Sequence, residues 1–205
     1  VYRGETPDVV PFMLDLSHWY CHAFRQPWDL SRPGAAPPRA LLDYHRRHGI
    51  GFYLPNLTSF FDVSYDDGVT ATVQRDETQI TWTLRTPRGT IRRVRTWEES
   101  SYSWGIRDWG IQDEQGLRVR AGALCQRRWT PAWERYQRWT SAVGDQGVVY
   151  LNAGYSALGE LLSLWMGIER VMYAVADCPG LLHRIVDQIN ESNLRLIDLL
   201  AQSPA

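Results

Sequence analysis

Asp15 and His18 stand three residues apart at the end of an apolar run, Val9 to Leu16, inside the stretch VVPFMLDLSHWYCH. A carboxylate beside an imidazole can hold, give or take a proton near neutral pH, because a neighbouring charge moves the histidine across that range. Ser17, Trp19, Cys21 and His22 crowd the same segment. We take Asp15 and His18 as candidate catalytic residues and Trp19 as a candidate substrate contact. The plainer alternative is that Asp15 caps a turn and His18 satisfies backbone groups. His18, Cys21 and His22 have the short spacing of zinc ligands, but a closed site needs a fourth ligand and a second conventional pair is missing nearby.

An apolar strand that delivers polar groups at its C-terminal tip is how α/β barrels build active sites. Val9 to Leu16 is therefore expected to be a strand buried on both faces. Pro27 to Pro38 is a loop by its Pro, Gly and Ser content. Arg39 to His48 is a helix stopped by Gly49, and Ile50 to Leu54 a second buried strand. Asn56 follows that strand and is a second candidate substrate contact, with turn capping as the alternative. Gly68 to Trp97 alternates apolar and polar residues. It is read as an antiparallel excursion of two or three strands, turning at Thr86-Pro87-Arg88-Gly89. Asp62, Asp66 and Asp67 read as a solvated acidic loop at its edge.

Glu114 to Arg128 and Pro131 to Val143 are expected to be helices, with Pro131 in a first helical turn. Val148 to Leu151 is a third buried strand. Tyr155 follows it and is a third candidate substrate contact. Leu158 to Ala176 is read as mostly helical, and a last helix runs from Pro179 to Leu200 with a broad apolar stripe. This is α/β, of the (β/α)8 barrel type, with three βα units and an antiparallel insertion. An eight-fold barrel takes ~250 residues, so the 205 residues are expected to be the N-terminal part of one.

The totals narrow the function classes. The net charge of -1 gives no basic footprint for nucleic acid. No run approaches the ~18 apolar residues of a membrane helix. A mean hydropathy of -0.37 fits a water-soluble globular chain. The 3 cysteines are scattered and odd in number, which points to a reducing, cytoplasmic setting. Trp97, Trp104 and Trp109 suggest an aromatic wall or, more plainly, core packing. Arg92, Arg93, Arg95, Arg118 and Arg120 could grip anions, but a solvated face is the expected reading.

Four stretches resemble the uroporphyrinogen decarboxylase superfamily. They are Val9–Trp19, Trp82–Gly89, Trp104–Asp113 and Gly144–Asp177, the last with Gly144-Asp145-Gln146-Gly147 ahead of a strand and Gly167-Ile168-Glu169 inside a helix. The Thr-Pro-x-Gly turn after a Trp/Thr strand resembles the branch of corrinoid-dependent methyltransferases. The resemblance implies a (β/α)8 barrel with its cleft at the strand ends. In that branch a zinc ion, held by His and Cys of later strands, activates a thiol for methylation by a corrinoid. Those ligands would lie beyond residue 205, so no metal ligand is assigned within the chain. A corrinoid protein is the implied partner, beside a small methylated substrate and a second copy in a homo-oligomer. The haem-pathway decarboxylases carry an arginine-rich N-terminal segment where this chain has Asp15-Leu16-Ser17-His18-Trp19. Their strand-end aspartate falls near Asn56, and a tyrosine expected near Glu160 to Leu164 is replaced at best by Tyr155. Uroporphyrinogen decarboxylation is thus one alternative, and a non-catalytic partial barrel that binds a partner is another.

Overall fold

The computed structural model describes residues 12–27, 29–31, 39–53 and 59–204. In chain order they form α1 (Ser17–Ala23), α2 (Arg39–Arg47), β1 (Phe52–Tyr53), β2 (Phe61–Tyr65), β3 (Thr70–Arg75), β4 (Gln79–Thr86), β5 (Gly89–Glu98) and β6 (Ser103–Asp108). There follow α3 (Glu114–Cys125), β7 (Arg127–Pro131), α4 (Trp133–Val143), β8 (Gly147–Val148), α5 (Ala157–Glu160), α6 (Gly167–Asp177) and α7 (Pro179–Leu200). The chain is mixed α/β and divides into two compact units. One takes the described residues of Val1–Asp29, Pro33–Phe60 and Ala132–Asn152. The other takes those of Leu30–Arg32, Phe61–Pro131 and Ala153–Ala205.

The first unit holds the parallel strands. Met13 is bridged to Gly51 in the parallel sense, and β1 pairs in parallel with β8, Phe52 opposite Gly147. Among the described residues the three expected strands are reduced to an isolated bridge at Met13 and the two-residue strands β1 and β8, neighbours in the parallel sense; β8 reaches only Val148 of the expected Val148 to Leu151, and that stretch is half-buried, not buried. A β-carbon on Gly147 would lie 1.6 Å from the Phe52 carbonyl oxygen, so only glycine lets the two backbones close here. α2 lays Leu41, Leu42 and His45 against Phe52, and α4 adds Tyr136 and Val143. Two further expectations need correction. Phe12, Met13 and Leu14 keep 60%, 37% and 38% of their surface exposed, because among the described residues only the Gly51 side of that segment has a strand partner. Residues 17–23, expected at a strand tip, form α1 instead.

The second unit is built on an antiparallel meander, β3-β4-β5-β6. It has four strands and runs on to Asp108, longer than the two or three strands expected by Trp97. Ile80 and Leu84 of β4 and Ile91 and Val94 of β5 are buried, while edge strand β3 is exposed along its length. The β4–β5 hairpin turns where expected, with the Thr86 hydroxyl accepting from the Arg88 amide at 3.1 Å. A second antiparallel pair, β2–β7, places Asp62 in a strand, not a loop; Asp66 follows it and pairs with Arg128 at 2.7 Å. Arg127, Arg128 and Pro131 of β7 were expected to be helical, with the junction between two helices at Trp129 and Thr130. The strand extends because each of its residues finds a backbone partner on β2, ending at Pro131, whose missing N–H suits a strand end.

The helical stretch expected over Leu158 to Ala176 is interrupted. A five-residue π-turn, Leu161–Trp165, follows α5, and α6 starts at Gly167, so Gly167-Ile168-Glu169 opens a helix. Gly167 has φ +72°, and a β-carbon there would meet the Trp109 ring at 2.8 Å. The π-turn shifts carbonyls out of the helical ladder, and they are used elsewhere. Arg93 Nη1 donates to the Leu164 carbonyl at 3.2 Å, and the Ile111 amide to that of Trp165 at 2.9 Å. α7 has the expected bounds, with proline in its first turn. Its Leu181, Leu182, Ile185 and Ile189 close the core of this unit. No barrel closes among the described residues. No helix among them is long and apolar enough to cross a membrane.

Candidate functional site

The N-terminal constellation lies in the first unit. Asp15 is exposed just past the Met13 bridge and accepts from the Ser17 amide at 2.9 Å. It therefore satisfies one of the free amides at the start of α1, as a capping carboxylate does. α1 then sorts its side chains by face. His18 and His22 are exposed, while Tyr20 and Cys21 point into the core. Burial pushes the Cys21 thiol up, so it stays protonated and stands apart from both histidines. Among the described residues, no group of three His, Cys, Asp or Glu could hold a metal ion.

Trp19 is 46% exposed. Its ring lies 5.2 Å from that of Tyr44 on α2 and 6.5 Å from Phe24, which makes a small aromatic edge beside His18. Asn56 lies outside the described residues. Tyr155 is 55% exposed and belongs to the second unit, where its carbonyl accepts from Asn193 Nδ2 at 3.0 Å. The first unit thus gathers Asp15, His18 and Trp19 on one short segment; Tyr155 is carried by another body.

His45 was missed in the sequence and bears on the same segment. It is 1% exposed, with its ring edge-on to Phe52 at 5.1 Å. Nδ1 lies 3.2 Å from the Gly51 carbonyl, so the proton is assigned to Nδ1 by that acceptor. Burial pulls its pKa down; the Gly51 and Ile50 carbonyls and the Asp15 carboxylate pull the other way without overcoming it. A neutral His45 thereby ties α2 to the strand that bridges Met13. The signal was its spacing, four residues after Leu41 on the apolar face of α2.

A second constellation overturns the expected solvated arginine face. Arg92 and Arg118 are exposed, but Arg120 is 2% exposed and Arg127 5%. Glu160, at the end of α5, is hydrogen-bonded by Arg120 and, at 3.3 Å, by Arg127 Nη1. Arg127 Nε also donates to Ser192 Oγ of α7 at 2.9 Å. The Arg93 guanidinium is clasped between Trp82 and Trp165, 4.3 and 4.9 Å from the ring centres; Arg120 lies 4.8 Å from the same Trp165 ring, and Arg127 4.7 Å from Trp129.

Two guanidiniums thus share one carboxylate, a third, that of Arg93, lies within reach of its charge, and the tryptophan faces supply the remaining negative potential. Arg93 Nε, Arg120 Nε and Nη1, and Arg127 Nη2 are buried without a hydrogen-bond acceptor among the described residues. Burial, then the neighbouring charges of Arg95 and Arg120, lowers Arg93 to about 10. Burial raises Glu160, but Arg120 and Arg127 outweigh it and hold the carboxyl below its ordinary range. Trp97 and Trp104 meet edge to face at 5.3 Å, and Trp104 is buried, so they pack the meander.

No protein-family model, curated protein or solved structure matches the chain.

Proposed function

We propose that the chain is part of an α/β barrel enzyme of the uroporphyrinogen decarboxylase-like kind, in its methyl-transferring branch. The observation that carries this reading is the order of Met13, β1 and β8. A parallel bridge at Met13 and parallel pairing of β1 with β8, with Asp15 and the His18 of α1 following the bridge, are what the start of such a barrel would supply. The enzyme would move a methyl group between a small methylated compound, or a corrinoid carried by a partner protein, and a thiol acceptor in the cytoplasm.

The described residues do not fit a zinc site. Cys21 is buried with its thiol raised, and His18 and His22 are exposed. No step is therefore drawn through a metal held here, and zinc ligands belong in this proposal to later strands of the longer protein. His18 would hold or move a proton at the substrate, with Asp15 fixing the start of its helix. Trp19 beside Tyr44 offers an apolar edge, and Asn56 and Tyr155 are further proposed contacts.

The test uses the full-length protein. Metal analysis is expected to give about one zinc per chain, the stoichiometry of a single catalytic site, and a methylated corrinoid is expected to methylate a thiol. Full activity in metal-free protein overturns the mechanism. Decarboxylation of uroporphyrinogen would select the alternative lyase, and an inert, metal-free oligomer the binding module.

A further inference from the structure

A separate pocket of about 190 Å³ opens in the second unit between the β4–β5 hairpin, α3 and α7. Its charged lining is Arg88, Arg118 and Arg184, and Cys125 and Gln188 stand in its wall. Arg118 is paired with Glu114 one helical turn away. The head groups of Arg88 and Arg184 have no carboxylate partner among the described residues. Three guanidiniums against one carboxylate leave the pocket with two uncompensated positive charges.

The frame of this pocket is held in place. The Arg88 carbonyl accepts from Gln115 Nε2 of α3 at 2.7 Å, which pins the hairpin turn to the helix. Gly122 presents no side chain to the floor; a β-carbon there would lie in ordinary contact with Arg88 Cδ at 3.5 Å. Gln188 Nε2 donates to the Cys125 thiol at 3.2 Å and ties α7 to the end of α3. Leu181, Arg184 and Gln188 line it from successive turns along one flank of α7.

We propose that this pocket binds the phosphate group of a small phosphomonoester. Guanidinium forks match phosphate oxygens in geometry and charge. The volume equals about six waters at ~30 Å³ each, enough for a phosphate and a few attached atoms. It is smaller than the ~300 Å³ at which pockets for larger ligands begin. Alanine, glycine and leucine in the lining suit the short apolar part of such a ligand.

Cys125 is exposed and reports on occupancy. Its alkylation by iodoacetamide, a neutral reagent, is followed by peptide mapping, which separates it from Cys21 and Cys178. Inorganic phosphate is expected to slow the reaction saturably, and sodium chloride at matched ionic strength is expected not to. Arg88→Gln and Arg184→Gln should each weaken apparent phosphate binding about tenfold, the loss of one charge-assisted contact. Both residues are exposed, so thermal melts of the two variants should match the parent, and either one alone carries the test. Three results overturn the proposal: no saturable protection, equal protection by chloride, or equal protection in the double variant.

Discussion

Glu160 and Arg120 meet inside the second unit across 40 residues of chain, their side chains only 10% and 3% exposed. Arg127 shares the same carboxylate. The single anion joins α5, α3 and β7 at the point where the helix gives way to a π-turn. Removing it leaves three guanidiniums facing one another without an anion. Glu160→Gln keeps the shape and deletes the charge, and is expected to lower stability by about 3–5 kcal/mol. Arg127→Met leaves Glu160 paired with Arg120 and should cost less. Chemical denaturation of both variants checks the order; an Arg127→Met variant that is the less stable of the two would count against the carboxylate as the organising group.

His45 predicts how acid affects the first unit. Its folded pKa lies below the ordinary histidine value of ~6.5, so the unfolded chain binds the proton more readily. The stability that neutral His45 contributes is complete above that value and is lost as the pH falls below it toward the folded pKa. Thermal melts from about pH 8 down to about pH 5 are expected to show a declining midpoint over this window. His45→Gln should flatten that decline. An unchanged slope in the variant would place the acid sensitivity elsewhere.

The contact of Gly147 with Phe52 gives a backbone test of the parallel strands. With a β-carbon 1.6 Å from the Phe52 oxygen, Gly147→Ala must push β8 off β1. The expected loss is about 3 kcal/mol or more, the range of strongly disruptive single substitutions. Amide exchange should quicken first in residues 50–53 and 146–149. Protection that survives in those residues would show that the strands do not depend on this close approach.

His18 separates chemistry from packing. It is exposed on α1, so His18→Ala should change stability by no more than about 0.5 kcal/mol. If it moves a proton in the proposed reaction, turnover of the full-length enzyme should fall about 10²–10⁴-fold. A variant that unfolds easily but keeps its activity per folded molecule would make His18 structural.

The sequence by itself determined those elements whose pattern is local. α7 follows from a 22-residue apolar stripe bracketed by Pro179, α2 from Leu41 and Leu42 ahead of Gly49, and the β4–β5 hairpin from alternation about a Pro-containing turn. The neighbourhood of the parallel segments was legible from their short apolar runs, but their bounds were not: among the described residues only a bridge at Met13 and the two-residue strands β1 and β8 form. Tertiary structure decided the rest. α1 exists because Asp15 accepts from its first amide, that of Ser17, and Tyr20 and Cys21 find a core. β7 exists because β2 offers it a ladder, although its residues could as well have continued α3. The π-turn depends on Arg93 and the Ile111 amide taking the carbonyls it displaces. Above all, no local pattern tells a solvated arginine from one clasped between Trp82 and Trp165, since the charge becomes tolerable only when rings and a carboxylate from distant segments surround it.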